Sequence, residues 1–183
     1  YDGFIRFDAD TVAHPDYILK MNDALNAGIK LARGYNNSTN MGTGITPTVC
    51  GLWSLRDCRF GCQPRSFFGI SQILVGPGMM LSAEIIKRNG GWTELGISED
   101  IDIALAELLK GTKSYYVKDA IIYDEQPATV GDVMKRNMRM GRGLFVTFWK
   151  KSILCFGNFF TTLKFSYLDA FLTQFFIPVD LIA

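Results

Sequence analysis

Apolar positions along this chain recur at two different periods, and each change of period marks an element boundary. Gly3-Phe4-Ile5-Arg6-Phe7 is a short apolar run that stops abruptly at Asp8-Ala9-Asp10. Such a run predicts a strand. Strand side chains alternate faces, so Asp8 and Asp10 share one side at its carboxyl end. Asp10-Thr-Val-Ala-His-Pro15 reads as a loop, with His14 a surface turn residue and Pro15 suited to a first helical turn. Tyr17, Ile18, Met21, Leu25, Ile29 and Ala32 then fall three or four apart, which predicts an amphipathic helix over 16–33 with Gly34 as its stop. Residues 34–48 are rich in Asn, Gly, Thr and Ser and predict a loop. Val49, Leu52, Trp53, Leu55, Arg56 and Phe60 predict a short helix with an aromatic face toward the core, and 61–69 predicts a loop again.

Strand-forming residues return over Ile70–Ser82 around Gly76-Pro77-Gly78. Glycines there suit either an ordinary turn or a place where a ligand approaches the backbone closely. Ser82 predicts the cap of a helix over 83–89, which stops at Gly90-Gly91 before Trp92. Ser98 predicts a second cap. Glu99, Asp100 and Asp102 occupy the first turn it opens, where acids complement the helix dipole. Residues 114–124 predict one or two strands, broken by Glu125-Gln126-Pro127. From Thr129 a helix runs through Val133, Arg136, Arg139 and Met140, with Arg136 and Arg139 on one face.

The last third changes character. Phe156, Phe160, Leu163, Tyr167, Phe171 and Phe175 form a single stripe at helical spacing, interrupted by Lys164, Asp169 and Asp180. It suits a helix lying in a membrane interface beside Lys150 and Lys151, or a core helix. The apolar run from Ile177 to Ala183 suits the opening of a spanning helix. The expected organisation is α/β over 1–150, followed by an amphipathic segment over 151–183.

Composition narrows the possibilities. The chain has 183 residues, enough for one domain with a real core, and a net charge of +1 that gives no global reason to bind nucleic acid. Positive charge is instead local: Lys135, Arg136, Arg139, Arg142, Lys150 and Lys151 share a segment without an acid. Four cysteines without a C-x-x-C pair, and a single histidine, argue against zinc and against a disulfide framework, which places the chain in a reducing compartment. No signal peptide is visible, and the chain reads as a piece of a longer protein.

The polar clusters carry the chemistry. Two carboxylates side by side suit a strand-to-turn junction, or an oxygen-ligated divalent cation between them. Asp100, or Glu99 beside it, suits a general base at a helix start. Arg136 and Arg139 suit a solvated face, or a clamp for a diphosphate. No G-x-x-x-x-G-K-S/T loop is present, so a P-loop phosphotransferase has no support.

Taken in order, these pieces resemble the membrane-associated family-2 glycosyltransferases, the group with cellulose, chitin, hyaluronan and poly-N-acetylglucosamine synthases. Phe7-Asp8-Ala9-Asp10 resembles the family's Asp-x-Asp, and Pro15-Asp16-Tyr17 the Pro-Asp-Tyr after it. Gly90-Gly91-Trp92 is similar to its Gly-Gly-Trp/Phe, Ser98-Glu99-Asp100 to its Thr-Glu-Asp, and Tyr123-Asp124-Glu125-Gln126-Pro127 also fits. Arg136-x-x-Arg139-Met140 stands where the family has Gln-x-x-Arg-Trp. The resemblance implies a partial GT-A fold, a mixed sheet flanked by helices, without the N-terminal strands that hold the nucleotide. It implies inverting, metal-assisted transfer of a sugar from a nucleoside-diphosphate donor (a UDP-linked hexose or N-acetylhexosamine) to a glycan or lipid, at the cytoplasmic face of a membrane. The implied roles are Asp8 and Asp10 for Mg²⁺ or Mn²⁺, and Asp100, with Glu99 second, for the base. Arg139 and Arg136 would bind the diphosphate, and Gly76, Gly78, Trp92 and Met140 the acceptor. Methionine at 140 cannot offer a ring face to a sugar. That departure leaves a second reading, a transferase-like module partnering an active membrane enzyme.

Overall fold

A computed structural model describes residues 1–92 and 96–180, with side chains through Phe176. Five strands form one mixed sheet: β1 (Gly3–Arg6), β2 (Val12–Ala13), β3 (Leu31–Ser38), β4 (Met79–Ser82) and β5 (Tyr115–Asp124). Their order is β1-β4-β3-β5-β2; β3 and β5 run parallel and the remaining pairs antiparallel. The helices are α1 (Tyr17–Asn26), α2 (Ile45–Arg56), α3 (Gln63–Phe67), α4 (Ala83–Arg88), α5 (Glu99–Leu109), α6 (Val130–Thr147), α7 (Ile153–Thr162) and α8 (Phe165–Asp180). π-helical turns at Asp57–Cys62 and Phe148–Ser152 join α2 to α3 and α6 to α7. This is the mixed, helix-flanked sheet of a partial GT-A fold.

β4 is buried along its whole length, and its two faces feed separate cores. Met79 and Leu81 pack with Leu31, Leu74, Ile85, Ile103 and Ala104. Met80 points the other way, toward Tyr17, Met21, Ala32, Ala120 and Ile122 beneath α1. A third cluster joins Ile101, Leu105 and Leu108 of α5 to Leu144, Cys155, Tyr167 and Ala170. Helix α5 therefore touches two of the three cores, and the C-terminal helices share a core with the α/β part. The boundary expected at 150 falls inside the second π-helical turn.

Several expected boundaries move. The helix predicted over 16–33 ends at Asn26, because the chain turns at Gly28 with φ +87°, a conformation that favours glycine. Ile29 lies beyond that turn, and Ala32 and Gly34 belong to β3, inside what read as helix and loop. The regions read as a helix over 49–60 and a loop over 61–69 are instead nearly continuous helix from Ile45 to Phe67. The single aromatic stripe is two helices: Leu163 turns left-handed at φ 54°, and α8 folds back on α7. Thr162 Oγ1 donates to Asn158 O at 2.7 Å and accepts from Lys164 N at 3.4 Å, which fixes the turn. Tyr167 points into the core, where its hydroxyl donates to Leu108 O at 3.2 Å. Arg65 of α3 grips Asp169 through two bonds of 2.8 and 3.2 Å. The whole run from Ile177 to Ala183 lies outside the residues whose side chains are described. Among the described residues no helix is long and apolar enough to cross a membrane.

Candidate active site

The acids that end β1 lie in a turn closed by Thr11 N donating to Asp8 O at 3.1 Å. Phe7 anchors the turn by packing edge-on against Tyr17, with ring centroids 5.4 Å apart. Asp8 and Asp10 are exposed. The chain then pairs through β2 with the end of β5, in the register Val12 to Tyr123. That pairing brings Asp124 into the field of both acids. Burial, Asp10 and Asp8 together push the Asp124 carboxyl up to about 6, while Arg136 pulls the other way. Asp124 received no role from the sequence. The signal was present in Tyr123-Asp124-Glu125-Gln126-Pro127, but a strand end with an acid carries no chemistry until its neighbours are known.

Arg6 binds the turn to α5. Its guanidinium ion-pairs with Glu99 and reaches Asp8 at 3.4 Å. Glu99 is thereby engaged, whereas Asp100 faces the backbone. Gly76 N donates to Asp100 Oδ2 at 2.7 Å and Ile101 N donates to Oδ1 at 2.8 Å. Burial holds the Asp100 carboxyl above its ordinary range, against those two donors and the positive fields of Arg6 and Arg33. Arg33 is buried on β3 and pairs with Asp57 of the first π-helical turn at 3.2 Å.

Ser98 does not cap α5 by its side chain, contrary to expectation. Its hydroxyl is occupied by packing: a Cβ at Gly143 would collide with Ser98 Oγ and lie 3.2 Å from Ile97 Cβ. The bare backbone of Gly143 lets α6 close directly onto the start of α5. Asp102 then reaches the far end of α6, accepting from Thr147 Oγ1 at 3.1 Å and pairing with Lys151 at 3.4 Å. Lys151, expected beside a membrane, is turned inward by this contact.

Arg136 is half-buried. It donates to Gln126 Oε1 at 3.1 Å and lies 3.8 Å from Cys50 Sγ, while Asn40 clamps the backbone of Gln126 at 2.7 and 3.0 Å. Arg139 is exposed and has no hydrogen bond or ion pair among the described residues, and Met140 is half-buried nearby on α6. Trp92 shares a cleft of about 330 Å³ with Phe4, Ile5, Arg6 and Ile86 along the edge of β1. Gly78 lies elsewhere, under α1: the Tyr17 hydroxyl donates to its carbonyl and occupies the space a side chain would need.

The structure thus gathers Asp8, Asp10, Arg6, Glu99, Asp100 and Gly76, and adds Asp124 and Arg136. Asp8, Asp10 and Asp124 share one region of negative potential, and carboxylate oxygens are the ligand type that hard divalent cations take. Among the described residues no three acids, cysteines or histidines are close enough to enclose an ion.

The family model described as "Glycosyl transferase family group 2" matches residues 3–183. The chain belongs to this family. It is 25% identical over 143 residues to "Probable glucomannan 4-beta-mannosyltransferase 7" of Oryza sativa subsp. japonica, covering 75% of this chain and 24% of that protein. It is also 25% identical over 177 residues to "Glucomannan 4-beta-mannosyltransferase 2" of Arabidopsis thaliana, covering 85% and 32%. This family-2 chain therefore spans about a quarter to a third of the curated relatives it matches.

Proposed function

We propose that the protein containing this chain transfers a hexosyl or N-acetylhexosaminyl group from a nucleoside-diphosphate sugar to a glycan or lipid acceptor, with inversion. One observation carries the reading: Asp100 is a half-buried carboxylate, oriented by Gly76 N–H at 2.7 Å, within the fields of Arg6 and Arg33. A carboxyl held above its ordinary range by burial is a stronger proton acceptor than an exposed one, as a general base requires.

An acceptor hydroxyl attacks the anomeric carbon from the face opposite the diphosphate. The carbon–oxygen bond to the diphosphate breaks, its electron pair leaves with the diphosphate, and the hydroxyl proton passes to Asp100. The two backbone donors hold the carboxylate in one orientation throughout and leave it free lone pairs for the proton. Arg139, unpaired among the described residues, and Arg136 stabilise the charge that collects on the diphosphate. Asp8 and Asp10 would hold Mg²⁺ or Mn²⁺, which supplies Lewis-acid neutralisation of the same charge. Glu99 keeps Arg6 in place between the two groups of acids.

The C-terminal helices support placement at a membrane surface. Trp149, Phe160, Leu163, Phe165, Phe175 and Phe176 are each more than half exposed. Soluble surfaces seldom carry so much contiguous aromatic area, and a lipid interface accommodates it. A cytoplasmic site would meet nucleotide sugars directly.

A donor screen on the complete protein tests the reading. Nucleoside-diphosphate release is followed for UDP- and GDP-linked hexoses and UDP-linked N-acetylhexosamines, with and without Mn²⁺ or Mg²⁺. Release that requires an acceptor and the cation supports it. Binding to a partner membrane enzyme with no release from any donor favours the module reading instead.

A further inference from the structure

Buried polar atoms almost always find a partner, so those that do not deserve a reason. Four of them surround the candidate site: Arg6 Nε, Thr11 Oγ1, Arg136 Nε and Asn36 Oδ1. Arg6 bridges Asp8 and Glu99, Thr11 closes the turn at Asp8, and Arg136 acts on Asp124, so the roles proposed above account for these three. Asn36 lies beside Gly76, whose N–H binds the base.

Asn36 owes its position to a bulge. Gly34 pairs with Val117 and Tyr35 with Ile121, so Lys118, Asp119 and Ala120 of β5 have no pairing partner in β3. Bulges re-aim side chains at sheet ends. Beyond it, Asn36 pairs with Ile122, and its carbonyl accepts a weak bond from Cys58 Sγ at 3.9 Å, which holds the strand end. The amide lies against Gly76, the residue whose N–H orients Asp100: a Cβ built there would stand 3.7 Å from Asn36 Nδ2. The absent side chain at Gly76, where φ is +84°, leaves that space open. Asn36 thus presents an unpartnered acceptor and an adjacent donor beside the base.

We propose that Asn36 binds the acceptor sugar, accepting at Oδ1 from a hydroxyl next to the attacking one and donating to it from Nδ2. An amide pairs in both directions, and a sugar hydroxyl is both donor and acceptor, so one side chain can read one hydroxyl completely. A buried acceptor left empty costs its full desolvation, which is why a site built this way discriminates strongly against a sugar lacking that hydroxyl. This rests on the transferase reading above.

The test uses the complete protein and a panel of hexose disaccharides, β-linked mannobiose among them, taking the best acceptor as probe. Asn36→Leu should raise the acceptor KM by about tenfold or more and abolish the saturation-transfer NMR signal of the disaccharide. Donor affinity measured by calorimetry should stay within about twofold, since no donor contact is lost. Asn36→Ser, smaller but still able to donate and accept, should recover part of the affinity. One monodeoxy disaccharide should bind the wild type and Asn36→Leu equally weakly. An unchanged KM in a folded Asn36→Leu, or an equal loss in donor affinity, overturns the assignment while leaving the transferase reading intact. A wild type that releases no nucleoside diphosphate from any donor overturns both.

Discussion

Gly76 N and Asp100 Oδ2 lie 2.7 Å apart, so the loop before β4 fixes the carboxylate that α5 presents. The amide introduced by Asp100→Asn would still accept from Gly76 but could not take a proton. In the complete protein this substitution should lower transfer by about 10²- to 10⁴-fold, with donor binding by calorimetry unchanged. Loss of donor binding would refute the base assignment. In the wild type, transfer should fall as the pH drops through the raised value of Asp100, so the acid limb lies above the usual carboxylate range.

Asp10 should carry the cation dependence. Asp10→Ala removes one of two exposed carboxylates at the end of β1, and both the stimulation by Mn²⁺ and the heat of Mn²⁺ binding should disappear with it. Full wild-type activity in excess chelator would sink the metal role.

Asp124 should make stability fall with rising pH. Its carboxyl titrates near 6 in the folded chain, above the ordinary value of 3.8, so the folded state holds the proton longer than the unfolded one. Stability contributed by the protonated form is complete below about 4 and is lost between there and about 6. Asp124→Asn should remove that decline and, the group being only half-buried, stabilise the chain at neutral pH by about 1 kcal/mol in chelator. Urea midpoints from pH 4 to 7 decide it; parallel curves for the two proteins would contradict the repulsion from Asp8 and Asp10.

Gly143→Ala should separate α6 from the start of α5, because the added methyl meets Ser98 Oγ and Ile97. Overpacking of this kind costs about 1–3 kcal/mol. Thermal melts should show that loss, and Gly143→Ala with Ser98→Ala should regain part of it. No recovery in the double variant would place the strain at Ile97 instead.

Leu163→Gly should stabilise the chain slightly. Leu163 is exposed in the left-handed region, which costs a side-chain residue about 1 kcal/mol, offset in part by the greater freedom of glycine when unfolded. A gain of about 0.5 kcal/mol in denaturant midpoints is expected. A loss would mean that the leucine side chain contributes a contact that outweighs its backbone strain.

Local signals were legible where one residue type decides the outcome. Ser82 caps α4 by accepting from Ile85 N and Thr129 caps α6 by accepting from Asp132 N, whereas Asp8 and Asp10 follow β1 in a turn, where strand alternation no longer sets their faces. Periodicity misled where the chain turns between apolar positions. Ile29 and Ala32 continue the spacing of α1, yet Gly28 ends the helix and Ala32 is strand. The aromatic stripe likewise ran unbroken through Leu163, because nothing in leucine announces a left-handed residue. Roles that depend on distant partners were invisible. Asp124 gains its character from acids more than a hundred residues earlier, and Asn36 from a bulge and a glycine loop. Ser98 read correctly as a helix start but for the wrong reason, since its hydroxyl packs on Gly143 instead of capping.

Helix α5 is clamped at both ends. Asp102 is fastened to Thr147 and Lys151, and the wholly buried Glu107 to Arg88, Asn89 and Lys110. Mechanically it is a beam pinned twice, with Asp100 on the short overhang beyond the first pin. Asp100 is thereby held on a rigid mount, set by contacts that lie outside the candidate site itself.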